Sequence, residues 1–292
     1  LETRTFPAQS PLFYANNRER YERQSLINII EQLTSRRLLV YVANFNHPNS
    51  GITYDDVAPF TEVCFDIPVG EKIDLLIHSP GGDPNAAEQL VNQLLARSDD
   101  IRVIVPLSAK SAATMISLVS DTILMSDSSE LGPIDPQIPV MTQQGYIYRP
   151  AKGILNGLEK IKQEVIEADN NLNPAYYPIL QGIDAALIDH CEKSIAHSIN
   201  LAKKWLERSM FNGDPSNAAS IAEQLVNIEK YPNHGAVINW KEAEVLGLNV
   251  TYYPPTDQLW EAVWRLYCMY DVDLKNKQLV KFFEGKKLSV SV

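Results

Sequence analysis

Two features of this sequence have residue types and spacing suited to chemistry. Ser111 lies within the run Ala109, Lys110, Ser111, Ala112, Ala113, where an apolar, small-residue stretch over 111–119 predicts a buried helix. A serine at a helix start has unpaired amide N–H groups beside it and sits at the positive end of the helix dipole. Such a site can hold a developing oxyanion, and the small neighbours leave room for a substrate. The same serine is also a preferred N-cap, and the residues alone leave both roles open. The second feature is Gly81-Gly82, directly after an expected strand at 73–78. Glycines there let backbone approach a ligand and present its N–H groups, although a glycine pair equally serves a plain turn.

These residues need elements to position them. Residues 36–42 and 73–78 read as buried strands, and 101–106 and 122–125 as further strands. Helical spacing of apolar residues over 21–33, 54–65, 87–95 and 111–119 places helices between them. Strand, helix, strand, helix, strand implies parallel pairing with right-handed crossovers. A hairpin is expected over 140–148 around Gly145, then an amphipathic helix over 154–167 and a polar connection over 170–178. Helices follow over 185–211, within 215–227 and over 241–246, with a turn at 231–235; residues 257–288 read as a helix and a basic tail.

Composition narrows the function. The chain has 292 residues, 45% hydrophobic and 21% charged, as for a globular protein with a sizeable core. Acidic residues outnumber basic ones 36 to 26, and a net charge of -10 argues against nucleic acid as a partner. Cys64, Cys191 and Cys268 form neither a disulfide framework nor a CxxC pair. A reducing compartment fits them, the start at Leu1 lacks a signal-peptide pattern, and a cytoplasmic protein without a transmembrane segment is expected. His190 and His197, with Cys191, lack zinc-site spacing, and no GxGxxG follows a strand, so no metal or dinucleotide is expected. Tyr146, Tyr148, Tyr176 and Tyr177 could line a peptide groove or serve packing.

Three stretches carry a family resemblance: Ser79-Pro-Gly-Gly82, residues 109–114 and residues 129–137. Together they resemble the ClpP/crotonase superfamily, and within it the serine dehydrogenase proteinase family, beside the signal-peptide peptidase A and NfeD-type serine proteases. The resemblance covers residues 73–152 and extends more loosely to 231–234 and 242–247. It implies an α/β ClpP/crotonase-like spiral core with added N- and C-terminal helices. The expected division is an N-terminal extension at 1–35, a protease domain at 36–250 and a C-terminal helical extension at 251–292.

The implied activity is hydrolysis of peptide bonds in a peptide or protein substrate, without a cofactor, by a homo-oligomer. Ser111 matches the nucleophile, and the N–H groups of Gly81, Gly82 and Ala112 match the oxyanion hole. Gly145-Tyr-Ile-Tyr-Arg-Pro-Ala-Lys152 matches the layout that carries the lysine of a Ser–Lys dyad, which makes Lys152 the expected general base. A lysine serves as base only when burial favours its neutral form. His234 matches a histidine in the family's Tyr-Pro-x-His stretch; were it the base, Asp135 would orient it. His78 could pack in the core or line the groove. Lys110 departs from the uncharged residue more usual beside the nucleophile and could reshape the pocket or bind an acidic group, while Ala113 stands where relatives more often carry glycine. Those departures keep a non-catalytic scaffold open, and the shared oxyanion geometry keeps open an enzyme acting on acyl-CoA thioesters.

Overall fold

The computed structural model describes residues 11–142 and 145–292. Residues 1–10, the start expected to lack a signal-peptide pattern, and residues 143–144 of the expected hairpin lie outside the described residues. The chain opens with α1 (Pro11–Asn16) and α2 (Arg18–Thr34), then enters β1 (Arg37–Ala43). Next come α3 (Val57–Cys64), β2 (Ile73–His78), α4 (Pro84–Leu95), β3 (Ile101–Ile104), a two-residue β4 (Ser108–Ala109), α5 (Ala112–Ser117) and β5 (Thr122–Met125). A short β6 (Glu130–Leu131) precedes the hairpin β7 (Gln137–Thr142) and β8 (Gly145–Pro150), which runs straight into α6 (Ala151–Glu167). Then follow α7 (Tyr177–Leu180), α8 (Ala185–Arg208), α9 (Pro215–Leu225), β9 (Ile238–Asn239), α10 (Trp240–Leu246), β10 (Val250–Tyr252), α11 (Gln258–Lys277), β11 (Lys281–Glu284) and β12 (Ser289–Ser291).

Seven strands make the main sheet, in the order β10-β5-β3-β2-β1-β11-β12. The first five run parallel, and β11 and β12 add antiparallel at the edge beside β1. Of the parallel strands, β1, β2, β3 and β5 are largely buried, which is why they read as near-continuous apolar runs, whereas β10 lies at the edge and is partly exposed. Strand alternation sends Leu39, Tyr41, Leu75, Ile77, Val103 and Ile123 into one core with α3, α4, α5, α8, α9 and α10. It sends Leu38, Val40, Leu76, Ile104 and Leu124 into a second core with α2 and α11.

Asp83, Asp184, Asp214, Asn239 and Asp257 cap α4, α8, α9, α10 and α11 by accepting from first-turn amides, and Pro84 and Pro215 sit where a proline costs no hydrogen bond. A second sheet, β4-β6-β9, stacks three two-residue strands: β6 runs parallel to β4 and β9 antiparallel to β6.

The expected helices and long strands are present, with three differences. The tail after α11 is a β-hairpin: the charged residues that made it read as solvated are buried, Lys281 against Asp56 and Glu284 against Arg23. The connection over 170–178 contains a helical turn and the start of α7. The helix expected from 154 starts at Ala151, so Lys152 lies in its first turn. Among the described residues no helix is long and apolar enough to cross a membrane.

Candidate active site

The glycine turn and the serine meet because backbone hydrogen bonds hold their flanks together. Beyond β2, Ser79 pairs with Ala109 of β4: Ser79 N–H donates to the Ser108 carbonyl at 3.0 Å and Lys110 N–H donates to the Ser79 carbonyl at 3.0 Å. On the other side Gly82 pairs with Ile52, whose N–H donates to the Gly81 carbonyl at 2.7 Å and whose carbonyl accepts from Asp83 N–H at 2.9 Å. Gly81 has φ +93°, and a Cβ there would lie 2.6 Å from Ser111 Cβ and 3.0 Å from Ala112 N. A Cβ on Gly82 would lie 2.3 Å from the Ile52 backbone. Only glycine permits these two approaches.

Ser111 has φ 49° and ψ -117°, a conformation that L residues avoid, at a cost of about 1–3 kcal/mol. It occupies the N-cap position of α5, yet its side chain makes no capping hydrogen bond. Among the described residues its hydroxyl has no hydrogen-bond partner, and the residue is partly exposed. The strain therefore aims the hydroxyl away from the helix it could have capped. Two amides beside it are unspent: Ala113 N–H donates to the Lys110 carbonyl and Gly81 N–H to Ser79 Oγ, whereas Ala112 N–H and Gly82 N–H have no acceptor among the described residues. Thr114 Oγ1 donates to the Ala109 carbonyl at 2.7 Å and accepts from Gly132 N–H at 3.0 Å, which locks α5 against the segment that follows β6.

Beyond β6 the chain reaches Asp135, which is 3% exposed. Its Oδ1 lies 2.7 Å from His234 Nδ1, and its Oδ2 accepts from Gln137 Nε2 at 2.6 Å. His234 stands on the turn before β9, with its side chain 30% exposed. The bond to Asp135 fixes the ring and leaves Nε2 available. A carboxylate, an oriented imidazole and an unpartnered serine hydroxyl thus lie on segments joined by the β4-β6-β9 sheet. Among the described residues His234 makes no hydrogen bond to Ser111, and its ring bonds Asp135.

Lys152 is placed differently. Its side chain is exposed on the first turn of α6, and among the described residues it has no ion-pair or hydrogen-bond partner. The desolvation expected of a lysine base is not present in the single chain. The neighbouring Ala151 N–H donates to the Pro136 carbonyl at 2.9 Å, so the start of α6 is pinned beside the Asp135 segment.

Lys110 points away from the hydroxyl: Nζ lies 3.0 Å from Glu130 Oε1 and 3.1 Å from each of the Leu131 and Ala236 carbonyls. His78 is a packed residue, stacked on Phe45 at 4.4 Å and edge-on to Tyr267 at 5.0 Å, with Nδ1 against the Ser108 backbone. Burial pushes its pKa down to about 4, against a smaller opposing effect of the Ser108 carbonyl. Cys64 is no rival nucleophile, since burial pushes its thiol up to about 12. Tyr146, Tyr148 and Tyr177 are exposed rather than core residues. Among the described residues no cluster of His, Cys, Asp and Glu is arranged to hold a metal.

Two partners of the site have no role assigned from the sequence, although Glu130 lies in the 129–137 stretch. Ile52 is the strand residue that holds the glycine turn, and Glu130 is the counter-charge of Lys110. A strand of one or two residues has no periodicity to detect, although Glu130 sits in register with Ser108 once β4 and β6 are paired.

Comparison with known proteins places the chain. Uncharacterized protein MJ0137 of Methanocaldococcus jannaschii is 28% identical over 231 residues, which cover 79% of this chain and 70% of that protein. Uncharacterized protein MJ1495 of the same organism is 37% identical over 87 residues, 30% of each chain. Among solved structures, the membrane-bound stomatin-specific protease 1510-N with a substrate peptide is 19% identical, at a TM-score of 0.40 over 75% of this chain and 76% of that one. ClpP1 from Listeria monocytogenes is 13% identical, at a TM-score of 0.42 over 79% and 99%. The family model for ClpP-like SDH-type serine proteinases matches residues 51–288, and the chain belongs to that family.

Proposed function

We propose that this protein is a serine peptidase in which Ser111 attacks the scissile carbonyl, His234 takes its proton and Asp135 holds the imidazole. The observation that carries this reading is the strained Ser111, whose hydroxyl forgoes capping α5 and lies beside the unspent amides of Ala112 and Gly82. A serine hydroxyl needs an adjacent base to become a nucleophile. In the tautomer with hydrogen on Nδ1, His234 donates to Asp135 and presents a lone pair on Nε2. As the tetrahedral intermediate forms, the two amides hold its oxyanion. The imidazolium then protonates the leaving amine, and water releases the acyl-enzyme by the same steps in reverse. The substrate is a peptide or protein segment, extended beside the glycine turn. Assembly into a homo-oligomer and a cytoplasmic location belong to the same reading.

Lys152 is the rival base. An exposed lysine needs another surface to desolvate it, while His234 already has its orienting carboxylate. The test is casein hydrolysis together with labelling by a fluorophosphonate. Loss of both in S111A, and of hydrolysis in H234A but not in K152Q, is expected. An active H234A beside an inactive K152Q returns the base to Lys152. Absence of both signals in the folded wild-type protein favours a scaffold, and CoA binding favours the thioester enzyme.

A further inference from the structure

We propose that Lys110 is a positioning residue for this reaction, an internal brace whose ammonium holds the three segments carrying Ser111, Asp135 and His234 in one arrangement. The inference rests on the Ser111–His234–Asp135 reading above. Lys110 directly precedes Ser111. Its Nζ donates to the carbonyl of Leu131, four residues before Asp135, and to the carbonyl of Ala236, two residues after His234. The third contact is Glu130 Oε1 at 3.0 Å, which also accepts from Ser108 Oγ at 2.8 Å. An ammonium has three donors and no acceptor, and three acceptors use them here. Its three contacts reach both of the other segments that the site must hold.

The rest of the sequence accommodates the brace. The Lys110 side chain is only 12% exposed. Its stem runs over Gly132, where a Cβ would meet Lys110 Cδ at 2.8 Å. Gly132 therefore leaves the path along which the lysine reaches Leu131 and Ala236. The turn bearing His234 has short connections to the rest of the molecule; β9, its nearest strand, has two residues. The Ala236 contact ties the turn bearing the imidazole directly to the residue before Ser111. An error near 1 Å in the placement of a reacting group costs about 100-fold in rate, so a tie of this kind acts on catalysis more than on substrate affinity.

The test is a double-mutant cycle on peptide or ester hydrolysis by the full chain, with variants K110M, H234A and K110M/H234A. Expected is a loss of about 10- to 100-fold in kcat for K110M with KM nearly unchanged, and no further loss when K110M is added to H234A. G132A keeps the ammonium but displaces its stem, and it reproduces the K110M loss; should K110M fail to fold, G132A carries the same expectation. Full kcat in K110M or G132A overturns the brace, as does an equal fold-loss with and without His234, which would mark a general structural effect. Inactive S111A and H234A beside a fully active K110M overturn only the brace. An active H234A overturns the histidine reading and the brace with it.

Discussion

Replacing Gly81 with alanine tests the geometry on which Ser111, the proposed nucleophile, depends. The substitution has two separable consequences. At φ +93° any L residue is strained, by about 1–3 kcal/mol. The new Cβ would also lie 2.6 Å from the Lys110 carbonyl oxygen and from Ser111 Cβ, against a comfortable separation of about 3.5–4.0 Å for carbon atoms. Both neighbours belong to the nucleophile turn, so relief requires that turn to move by about 1 Å. The same movement displaces Ala112 N–H, whose nitrogen lies 3.0 Å from the added atom. Displacing a reacting group by this much costs about 100-fold, and losing one oxyanion donor costs about 100- to 1,000-fold. The two effects share one cause and do not simply multiply, so kcat should fall by about 100- to 1,000-fold. Gly70 supplies the control, since it has φ +90° but nothing within 4 Å of its would-be Cβ. G70A bears comparable backbone strain and leaves the site untouched. Each variant should lose a few degrees of thermal stability, about 2–4 °C per kcal/mol in a chain of this size. Steady-state hydrolysis and thermal unfolding of the two variants together decide the matter. A G81A variant with wild-type kcat, or a G70A variant equally inactive, refutes the argument.

Three further outcomes follow from other parts of the structure. D135N keeps the shape of the side chain but removes the charge that stabilises an imidazolium, and should lower kcat by about 1,000- to 10,000-fold with the fold intact; an active D135N would detach Asp135 from catalysis. Lys281 is 3% exposed and bonds both Asp56 oxygens and the Gly51 carbonyl, so K281M leaves a buried carboxylate unpaired at a cost of about 3–5 kcal/mol. Chemical denaturation should show that loss, and K281M/D56N should recover part of it; equal instability of the two would exclude the charge as the cause. The His78 imidazole is depressed from 6.5 to about 4, so its neutral form is the one the fold accepts. Its contribution is complete above pH 6.5 and is lost as pH falls towards 4, amounting to about 2 kcal/mol between pH 8 and pH 5 by proton linkage. Stability measured against pH should lose that limb in H78F; an unchanged profile would mean other groups cause it.

How legible the site was in the sequence depended on the length of the element carrying each residue. The parallel strands β1, β2, β3 and β5 and the helices around them have apolar patterns long enough to read, and the glycine turn and Ser111 fall at their ends, where α/β sheets place ligands. The β4-β6-β9 sheet was not legible, because a two-residue strand has no period. That sheet holds Lys110 beside Glu130 and sets Ser111 near the Asp135 and His234 segments. The edge strands β11 and β12 were hidden for another reason. Lys281 and Glu284 are charged, and charge in a terminal segment reads as solvation unless the partner is known. Those partners, Asp56 and Arg23, lie more than 200 residues earlier in the chain. The pairing of Asp135 with His234 was hidden in the same way: the two are 99 residues apart, and only their hydrogen bond distinguishes an orienting pair from two unrelated polar residues.

That pair is also the ground on which an imidazole is proposed over an amine as base. Lys152 would have to order a flexible four-carbon stem and shed the hydration of a compact charge before it could accept a proton. The surroundings that could offset those costs are absent around an exposed first-turn residue. The His234 ring is already fixed by a carboxylate that is itself buried and held by Gln137. The conformational cost has been met in the folding of the Asp135 segment, whose backbone is tied at Ile134 to the Leu225 carbonyl at the end of α9 and at Pro136 to the start of α6. Lys152 and His234 thus share one scaffold, and the position of α6 helps to hold the Asp135 segment that orients the imidazole. A shortened side chain at 152 should therefore leave hydrolysis intact, whereas Ala151→Pro, which removes the N–H bonded to Pro136, should reduce it. Equal and full activity in both variants would show that this end of α6 has no part in holding the imidazole.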